Sequence, residues 1–172
     1  NGVHCGRREG GYVPLEFDLT DALPSPVTGD RPALIVLRVE DPMNNHEQPV
    51  GKQWGWYTPT SGIWQTVFVE PRPVTHIDHF RITTDIDQGQ ASFEVHCHAL
   101  TDDVRAVVDI IPPDAPPHRV TLNPKADSIV CGDAEIHPVS LWDPGDPKLY
   151  RVIFRLFRGE RELDTVRSYF GM

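Results

Sequence analysis

The segment at residues 91–99 constrains the fold most strongly, because its side chains alternate strictly between apolar and polar. Its sequence is Ala-Ser-Phe-Glu-Val-His-Cys-His-Ala, with the apolar side chains at every second position. Successive side chains of a β-strand point to opposite faces of the sheet. The segment is therefore predicted to be a half-buried strand whose inward face is unambiguous.

Similar segments recur at spacings near a dozen residues through the C-terminal half of the chain. They are rich in β-branched and aromatic residues and are bounded by turn residues, as strands usually are. The candidates are residues 74–83, 91–99, 104–111, 119–122, 128–131, 135–139, 149–157 and 162–170. Around seven short strands in a region of this size are typical of an immunoglobulin-like β-sandwich.

The N-terminal part of the chain also predicts strands, although they are fewer and more widely spaced. The clearest candidates are residues 15–19, 33–40 and 63–70. With 17 prolines, 13 glycines and no long helical periodicity, the chain is predicted to be all-β. The Pro71-Arg72-Pro73 segment interrupts the pattern, so we expect one domain over residues 1–72 and another over residues 73–172.

The overall charge excludes some classes of partner. A formal net charge of −9 gives no electrostatic support for binding nucleic acid or an anionic membrane. No apolar run approaches the roughly 20 residues that a membrane-spanning helix needs. The cysteines Cys5, Cys97 and Cys131 are odd in number and far apart, which favours free buried thiols and a reducing compartment such as the cytoplasm.

Aromatic residues are concentrated in residues 54–71, which contain three of the four tryptophans. Trp54, Trp56 and Tyr57 are too close together to share one face of a core element, so we expect at least one of these rings to be exposed. Exposed aromatic rings suit stacking on a sugar or docking of a neighbouring domain. The alternative is that the tryptophans fill a small β core.

Several motifs resemble one known family. Residues 60–71, Thr-Ser-Gly-Ile-Trp-Gln-Thr-Val-Phe-Val-Glu-Pro, resemble the end of the N-terminal sugar-binding domain of glycoside hydrolase family 2, the β-galactosidase and β-glucuronidase family. Residues 1–23 resemble the middle strands of that domain, and residues 141–156 and 168–172 resemble the end of the following sandwich. The resemblance implies a partial galactose-binding-like jelly roll over residues 1–72, followed by an immunoglobulin-like β-sandwich over residues 73–172.

The resemblance also implies what the chain does in a longer parent protein. Family 2 enzymes hydrolyse terminal β-glycosides by a retaining mechanism with two glutamates on a catalytic barrel, one of them following an asparagine. The sequence contains no Asn-Glu dipeptide. We therefore assign no catalytic residue to this chain and expect it to be inactive alone. No metal ligand and no cofactor are assigned to it either. Its implied role is to support the barrel of the same parent chain and to line the substrate entrance.

Four residues are candidates for the rim of that entrance: Asp41, Gln53, Trp54 and Trp56. In this family the corresponding edge of the jelly roll leans over the active-site pocket, so the resemblance implies weak carbohydrate contacts there. The alternative is that these side chains hold the loop, or meet the barrel, without touching sugar.

Two further functions compete with this interpretation. His96 and His98 lie on one face of a predicted strand and could hold zinc if His76 or His79 supplied a third ligand. Alternatively, the chain is a stand-alone carbohydrate-binding or scaffold module. An incomplete jelly roll exposes strand edges and apolar surface, which predicts self-association.

Overall fold

The computed structural model describes residues 2–24, 29–30, 32–42, 47 and 60–172. The chain divides into two compact units, Asn1–Phe68 and Val69–Met172. Across the described residues, no helix has both the length and the apolar character needed to cross a membrane.

The first unit contains little regular structure among its described residues. A 3-10 turn spans Thr20–Ala22. The turn begins where the Asp18 carboxylate accepts a hydrogen bond from the Thr20 backbone N–H at 2.8 Å. Short polar side chains stabilise turns in this way because they satisfy backbone donors that have no other partner.

The strands predicted at residues 15–19, 33–40 and 63–70 are not formed, so these three strand predictions are wrong. Large apolar side chains of these segments are exposed, among them Val36 at 78% and Phe68 at 71%. A strand needs a neighbouring strand that accepts and donates its backbone hydrogen bonds. The apolar pattern that we used predicts burial of a face, but it does not supply that neighbour.

The second unit consists of seven strands, which confirms the all-β class and the immunoglobulin-like sandwich. The strands are β1 (His76–Asp85), β2 (Gln90–His98), β3 (Val104–Ile111), β4 (His118–Ala126), β5 (Ile129–Glu135), β6 (Tyr150–Arg158) and β7 (Arg161–Phe170). Burial alternates residue by residue along β2 and β6. Period-2 burial is what places one face of each strand in the core.

All neighbouring strands are antiparallel and follow the order β1-β2-β5-β4-β3-β6-β7. We call β1-β2-β5-β4 the β2 sheet and β4-β3-β6-β7 the β6 sheet, with β4 shared by both. This order is that of a constant-type immunoglobulin sandwich. The Asp164 side chain of β7 accepts a hydrogen bond from the Ile77 N–H of β1 at 2.8 Å, which nearly closes the two sheets into a barrel.

Strand β4 passes from one sheet to the other beside a glycine of β5. Its pairing with β5 shifts register between Pro124 and Ala126. A Cβ atom on Gly132 would lie 3.1 Å from Leu122 Cδ2 and 3.1 Å from the Thr121 carbonyl oxygen. Gly132 therefore permits the close approach of β4 that the change of sheet requires.

Four aromatic rings form the centre of the core between the sheets. Phe93 meets Phe154 and Phe170 edge-on, each with ring centroids 6.0 Å apart. Tyr150 stacks on Phe170 at 4.9 Å. The buried Tyr150 hydroxyl accepts a hydrogen bond from the Ser140 backbone N–H at 2.6 Å, as in the tyrosine corner of immunoglobulin-like domains.

The prediction of a separate strand at residues 135–139 is wrong. Strand β5 ends at Glu135, and residues 136–139 are irregular. Proline has no N–H to donate to a ladder, so Pro138 fits poorly in a paired strand. The chain turns there and then leads to the Ser140 N–H that binds Tyr150.

The three cysteines are all free, as the sequence predicts. Cys97 is buried and Cys131 is half-buried, whereas Cys5 is exposed, so the expectation of burial is wrong for Cys5. Burial raises the pKa of the Cys97 thiol to about 11. Cys97 therefore stays a neutral thiol at physiological pH and behaves as a small core side chain.

Candidate functional site

Of the four predicted rim residues, the structure describes Asp41. Its exposed carboxylate accepts a hydrogen bond from the Ser61 hydroxyl at 2.6 Å. This bond joins the end of residues 32–42 to the beginning of the motif that resembles the sugar-binding domain. Gln53, Trp54 and Trp56 lie outside the described residues, so their gathering around Asp41 stays a prediction.

Trp64 is an exposed aromatic residue of the segment predicted as a strand at residues 63–70, and it is not one of the four rim candidates. Its indole N–H donates to the Gly11 carbonyl oxygen at 2.8 Å, and 66% of the residue is exposed. Tyr12, the next residue after Gly11, is also exposed. Flat rings held by a polar contact on one edge are suitable for stacking on a sugar.

Four histidines line the outer face of β1 and β2, but the structure gives zinc chemistry no support. His79 stacks on His96 with ring centroids 4.1 Å apart, and His76 stacks on His98 at 5.1 Å. Parallel rings do not direct their nitrogens at a common point, as the ligands of a metal must. Among the described residues, no group of three or more His, Cys, Asp or Glu side chains could hold a metal ion.

An open depression of about 640 Å³ lies on the outer face of the β2 sheet. Its Glu94 carboxylate accepts a hydrogen bond from Lys125 at 2.5 Å and contacts His96 Nε2 at 3.1 Å. The hydrogen bond from Lys125 is the largest cause that lowers the pKa of Glu94, and the contact with His96 lowers it further. A glycosidase general acid needs a raised pKa, so Glu94 is unsuited to that role.

A charged network crosses the outer face of the β6 sheet. Asp109 of β3 accepts two hydrogen bonds from Arg119 of β4, at 2.5 and 3.0 Å, and one from Arg155 of β6 at 3.0 Å. Arg155 also donates to Glu162 of β7 at 2.6 Å. The hydrogen bond from Arg119 is the largest cause that lowers the pKa of Asp109 below its ordinary value of 3.8. The hydrogen bond from Arg155 adds to this effect, and partial burial opposes it.

This network could not be predicted from the sequence because it depends on the register of the strands. The four residues stand on four strands, and only the pairing of Asp109 with Arg119 and with Ile153 brings their side chains together. The sequence signal for this network was the alternation of charged and apolar residues in three of the predicted strands. That signal identifies outward side chains without telling which of them meet.

The network makes a prediction about pH. A carboxylate whose pKa falls on folding stabilises the fold above its ordinary pKa and loses that contribution as the pH falls through the folded value. We expect Asp109→Asn to lower the free energy of unfolding by about 1–2 kcal/mol at neutral pH, because two arginines lose a charged acceptor. The difference from the unmodified chain should shrink as the pH falls below 3.8, measured by urea unfolding at several pH values.

The control for this prediction is Asp133→Asn, which removes an exposed acid that has no ion pair among the described residues. We expect it to change the free energy of unfolding by about 0.5 kcal/mol or less. If Asp109→Asn lowered the free energy of unfolding by the same amount at every pH, the ion pairs with Arg119 and Arg155 would not stabilise the fold.

These features define an immunoglobulin-like β-sandwich that is preceded in the sequence by a second, less regular unit. Residues 75–172 match the model of glycosyl hydrolases family 2, and the chain belongs to this family. The resemblance noted in the sequence is therefore confirmed.

Individual relatives agree with this membership. The chain is 25% identical over 190 residues to the β-galactosidase BoGH2A of Bacteroides ovatus, and that alignment covers 100% of this chain. It is 24% identical over 138 residues, 62% of this chain, to a β-glucuronidase of Sus scrofa. The chain spans about a fifth of the length of these curated relatives, 20% and 21% respectively.

A solved structure supports the fold. The β-glucuronidase of Bifidobacterium dentium, solved in complex with coumarin-3-O-glucuronide, superposes with a TM-score of 0.50 at 20% identity. The superposition covers 58% of this chain and 18% of that one. At this level of identity the similarity concerns the fold alone.

Proposed function

We propose that this chain is a non-catalytic N-terminal portion of a family 2 glycoside hydrolase. The observation that carries the proposal is the family match over residues 75–172, which includes all seven strands of the sandwich. The share of the relatives' length that the chain spans, about a fifth, is consistent with a portion that supports a separate catalytic domain.

In this proposal the parent protein hydrolyses terminal β-glycosides with two carboxylates that face each other across the sugar. The relatives named above are β-galactosidases and β-glucuronidases, which makes those two sugars the first candidates. Within the sandwich, Glu94 and Asp109 are engaged by cationic side chains that lower their pKa values. Neither carboxylate has the raised pKa that proton donation to a leaving group needs.

The proposed place of contact with substrate is the surface around Asp41. The Ser61 hydroxyl fixes the Asp41 carboxylate, and a carboxylate so oriented can accept hydrogen bonds from sugar hydroxyls. Gln53, Trp54 and Trp56 would complete this rim in the parent protein. The exposed Trp64, three residues after Ser61 in the sequence, is a further aromatic candidate for sugar contact.

The experiment that tests the non-catalytic role is an assay of the purified chain on 4-nitrophenyl β-galactoside, β-glucuronide and β-mannoside. We expect release of nitrophenol at the rate of the buffer blank with every substrate. Glu94→Gln and Asp109→Asn serve as matched variants, and neither should change this background. Turnover above the blank that either substitution abolishes would overturn the proposal, because a carboxylate of the sandwich would then be catalytic.

A further inference from the structure

The outer face of the β6 sheet carries an excess of positive charge within a negatively charged chain. Its outward positions hold five arginines and no lysine, against the carboxylates of Asp109 and Glu162. The arginines are Arg105, Arg119, Arg151, Arg155 and Arg167. The whole chain has a formal net charge of −9, so this face differs from the average of the chain in having a charge that suits an anionic ligand.

Two of these arginines are available to a ligand. Arg119 and Arg155 bind Asp109, and Arg105 lies over the Phe157 ring at 4.8 Å. Arg151 and Arg167 are exposed and take part in none of the ion pairs among the described residues. An arginine presents a planar fork of donors whose spacing matches a carboxylate.

An exposed tyrosine stands between these two arginines. Arg151 of β6 is the direct cross-strand partner of Tyr169 of β7, and Arg167 precedes Tyr169 by two residues on the same face. Directly opposite side chains are about 5 Å apart at Cβ, and alternate residues of a strand are about 7 Å apart. The register therefore places the Cβ atoms of two arginines within about 7 Å of that of Tyr169, a residue that is 65% exposed.

Two isoleucines lie beside the two arginines on the same face. Ile111 pairs with Arg151, and Ile153 pairs with Arg167, and both isoleucines are half-buried on this face. A pyranose ring has one face of C–H groups that packs on aromatic and aliphatic side chains. In a uronate the carboxylate is attached directly to that ring, so an arginine at the edge of the aromatic side chain can reach it.

We propose that Tyr169, Arg151 and Arg167 form a binding site for a uronate-bearing oligosaccharide. One sugar ring stacks on Tyr169, and Arg167 and Arg151 bind the carboxylates of that ring and of the next uronate. This site is independent of the proposed function, because its residues belong to the sandwich and the predicted rim residues belong to the other unit.

The test is calorimetric titration of the full chain with tetragalacturonate at physiological ionic strength, where weak long-range attraction is largely screened. Maltotetraose supplies the same type of ring without a carboxylate, and citrate supplies carboxylates without a ring. We expect tetragalacturonate to bind and the other two to show no measurable heat. Tetragalacturonate that gives no heat, or citrate that binds equally well, would overturn the proposal.

Four variants separate the roles of the side chains. Arg167→Ala should weaken binding about tenfold, because a charged hydrogen-bond donor is lost. Arg167→Lys keeps the charge but loses the fork and should weaken binding about threefold or more. Tyr169→Ala should weaken it about three- to tenfold, whereas Tyr169→Phe, which keeps the ring, should bind like the unmodified chain.

The matched control is Arg81→Ala, which removes an exposed arginine from the β2 sheet that has no ion pair among the described residues. It should leave the affinity unchanged. An equal loss in Arg81→Ala and Arg167→Ala would mean general attraction of a polyanion and would overturn the site. A chain that is a dimer in solution, and that Arg167→Glu converts to a monomer, would mean that a second copy covers this face instead.

Failure of this site and failure of the proposed function give different results. If the chain does not bind tetragalacturonate and shows no glycosidase turnover, the binding site is overturned and the proposed function is unaffected. Hydrolysis of a nitrophenyl glycoside that Glu94→Gln or Asp109→Asn abolishes overturns the proposed function, whatever the affinity of the chain for tetragalacturonate.

Discussion

Replacing Phe93 by alanine is expected to lower the free energy of unfolding of the sandwich by about 3–5 kcal/mol. Phe93 is 1% exposed and lies between Phe154 and Phe170, each with its ring centroid 6.0 Å away. Truncation removes its own buried surface and leaves a cavity that two rings on the opposite sheet line. Urea unfolding followed by circular dichroism measures the loss.

The control for this substitution is Ser92→Ala, one residue earlier on the other face of β2. Ser92 pairs with Thr83 and Asp133 on the outer side of the sheet, so its truncation should change the free energy of unfolding by about 0.5 kcal/mol or less. Equal losses in the two variants would contradict the assignment of an inner and an outer face to β2.

Replacing Tyr150 by phenylalanine is expected to cost about 1–3 kcal/mol, although only one oxygen is removed. The Tyr150 hydroxyl accepts the Ser140 N–H at 2.6 Å, and the residue is fully buried. Phenylalanine keeps the stacking on Phe170 but leaves a half-buried backbone donor without its acceptor. Thermal and urea unfolding of the same variant provide independent measurements of the loss.

Tyr169→Phe is the matched control, because it removes the hydroxyl of an exposed tyrosine in the neighbouring strand. We expect its stability to stay within about 0.5 kcal/mol of the unmodified chain. If Tyr150→Phe were equally neutral, the bond to Ser140 would not contribute to stability, and the loop at residues 136–149 would be held by other contacts.

The sandwich could be predicted from the sequence wherever one face of a strand is buried. Strands β2 and β3 were predicted at residues 91–99 and 104–111, and the structure places them at Gln90–His98 and Val104–Ile111. Period-2 alternation marks the bounds of β2, whereas β3 is a mostly apolar run in which Ala106, Val107 and Val108 are all buried. Strand β4 was predicted too short because it leaves one sheet for the other near Pro124, where its inward face changes.

The first unit shows the limit of the same method. Residues 33–40 are as apolar as a central strand, yet they form no strand and Val36 is largely exposed. Apolar composition says that a segment prefers burial, whereas strand formation also requires a hydrogen-bonding neighbour. A pattern read along one segment contains no information about that neighbour.

The candidate sites depend on contacts between residues that are far apart in sequence. Asp41 was chosen for its place at the end of a predicted strand, and its bond to Ser61 could not be read from the chain. The pairing of Arg151 with Tyr169 likewise follows from the register of β6 and β7. Alternation predicts which side chains face outward. Which of these side chains contact each other is known only from the register of the strands in the fold.

The measurement that tests the central claim most directly is the sequence of the reading frame that encodes this chain, translated beyond Met172. We expect the frame to continue into a catalytic barrel that contains an Asn-Glu dipeptide, since family 2 hydrolysis requires two carboxylates there. This result would make residues 1–172 the non-catalytic portion of a family 2 glycosidase. A stop codon directly after Met172 would contradict that account and would favour a stand-alone binding or scaffold protein.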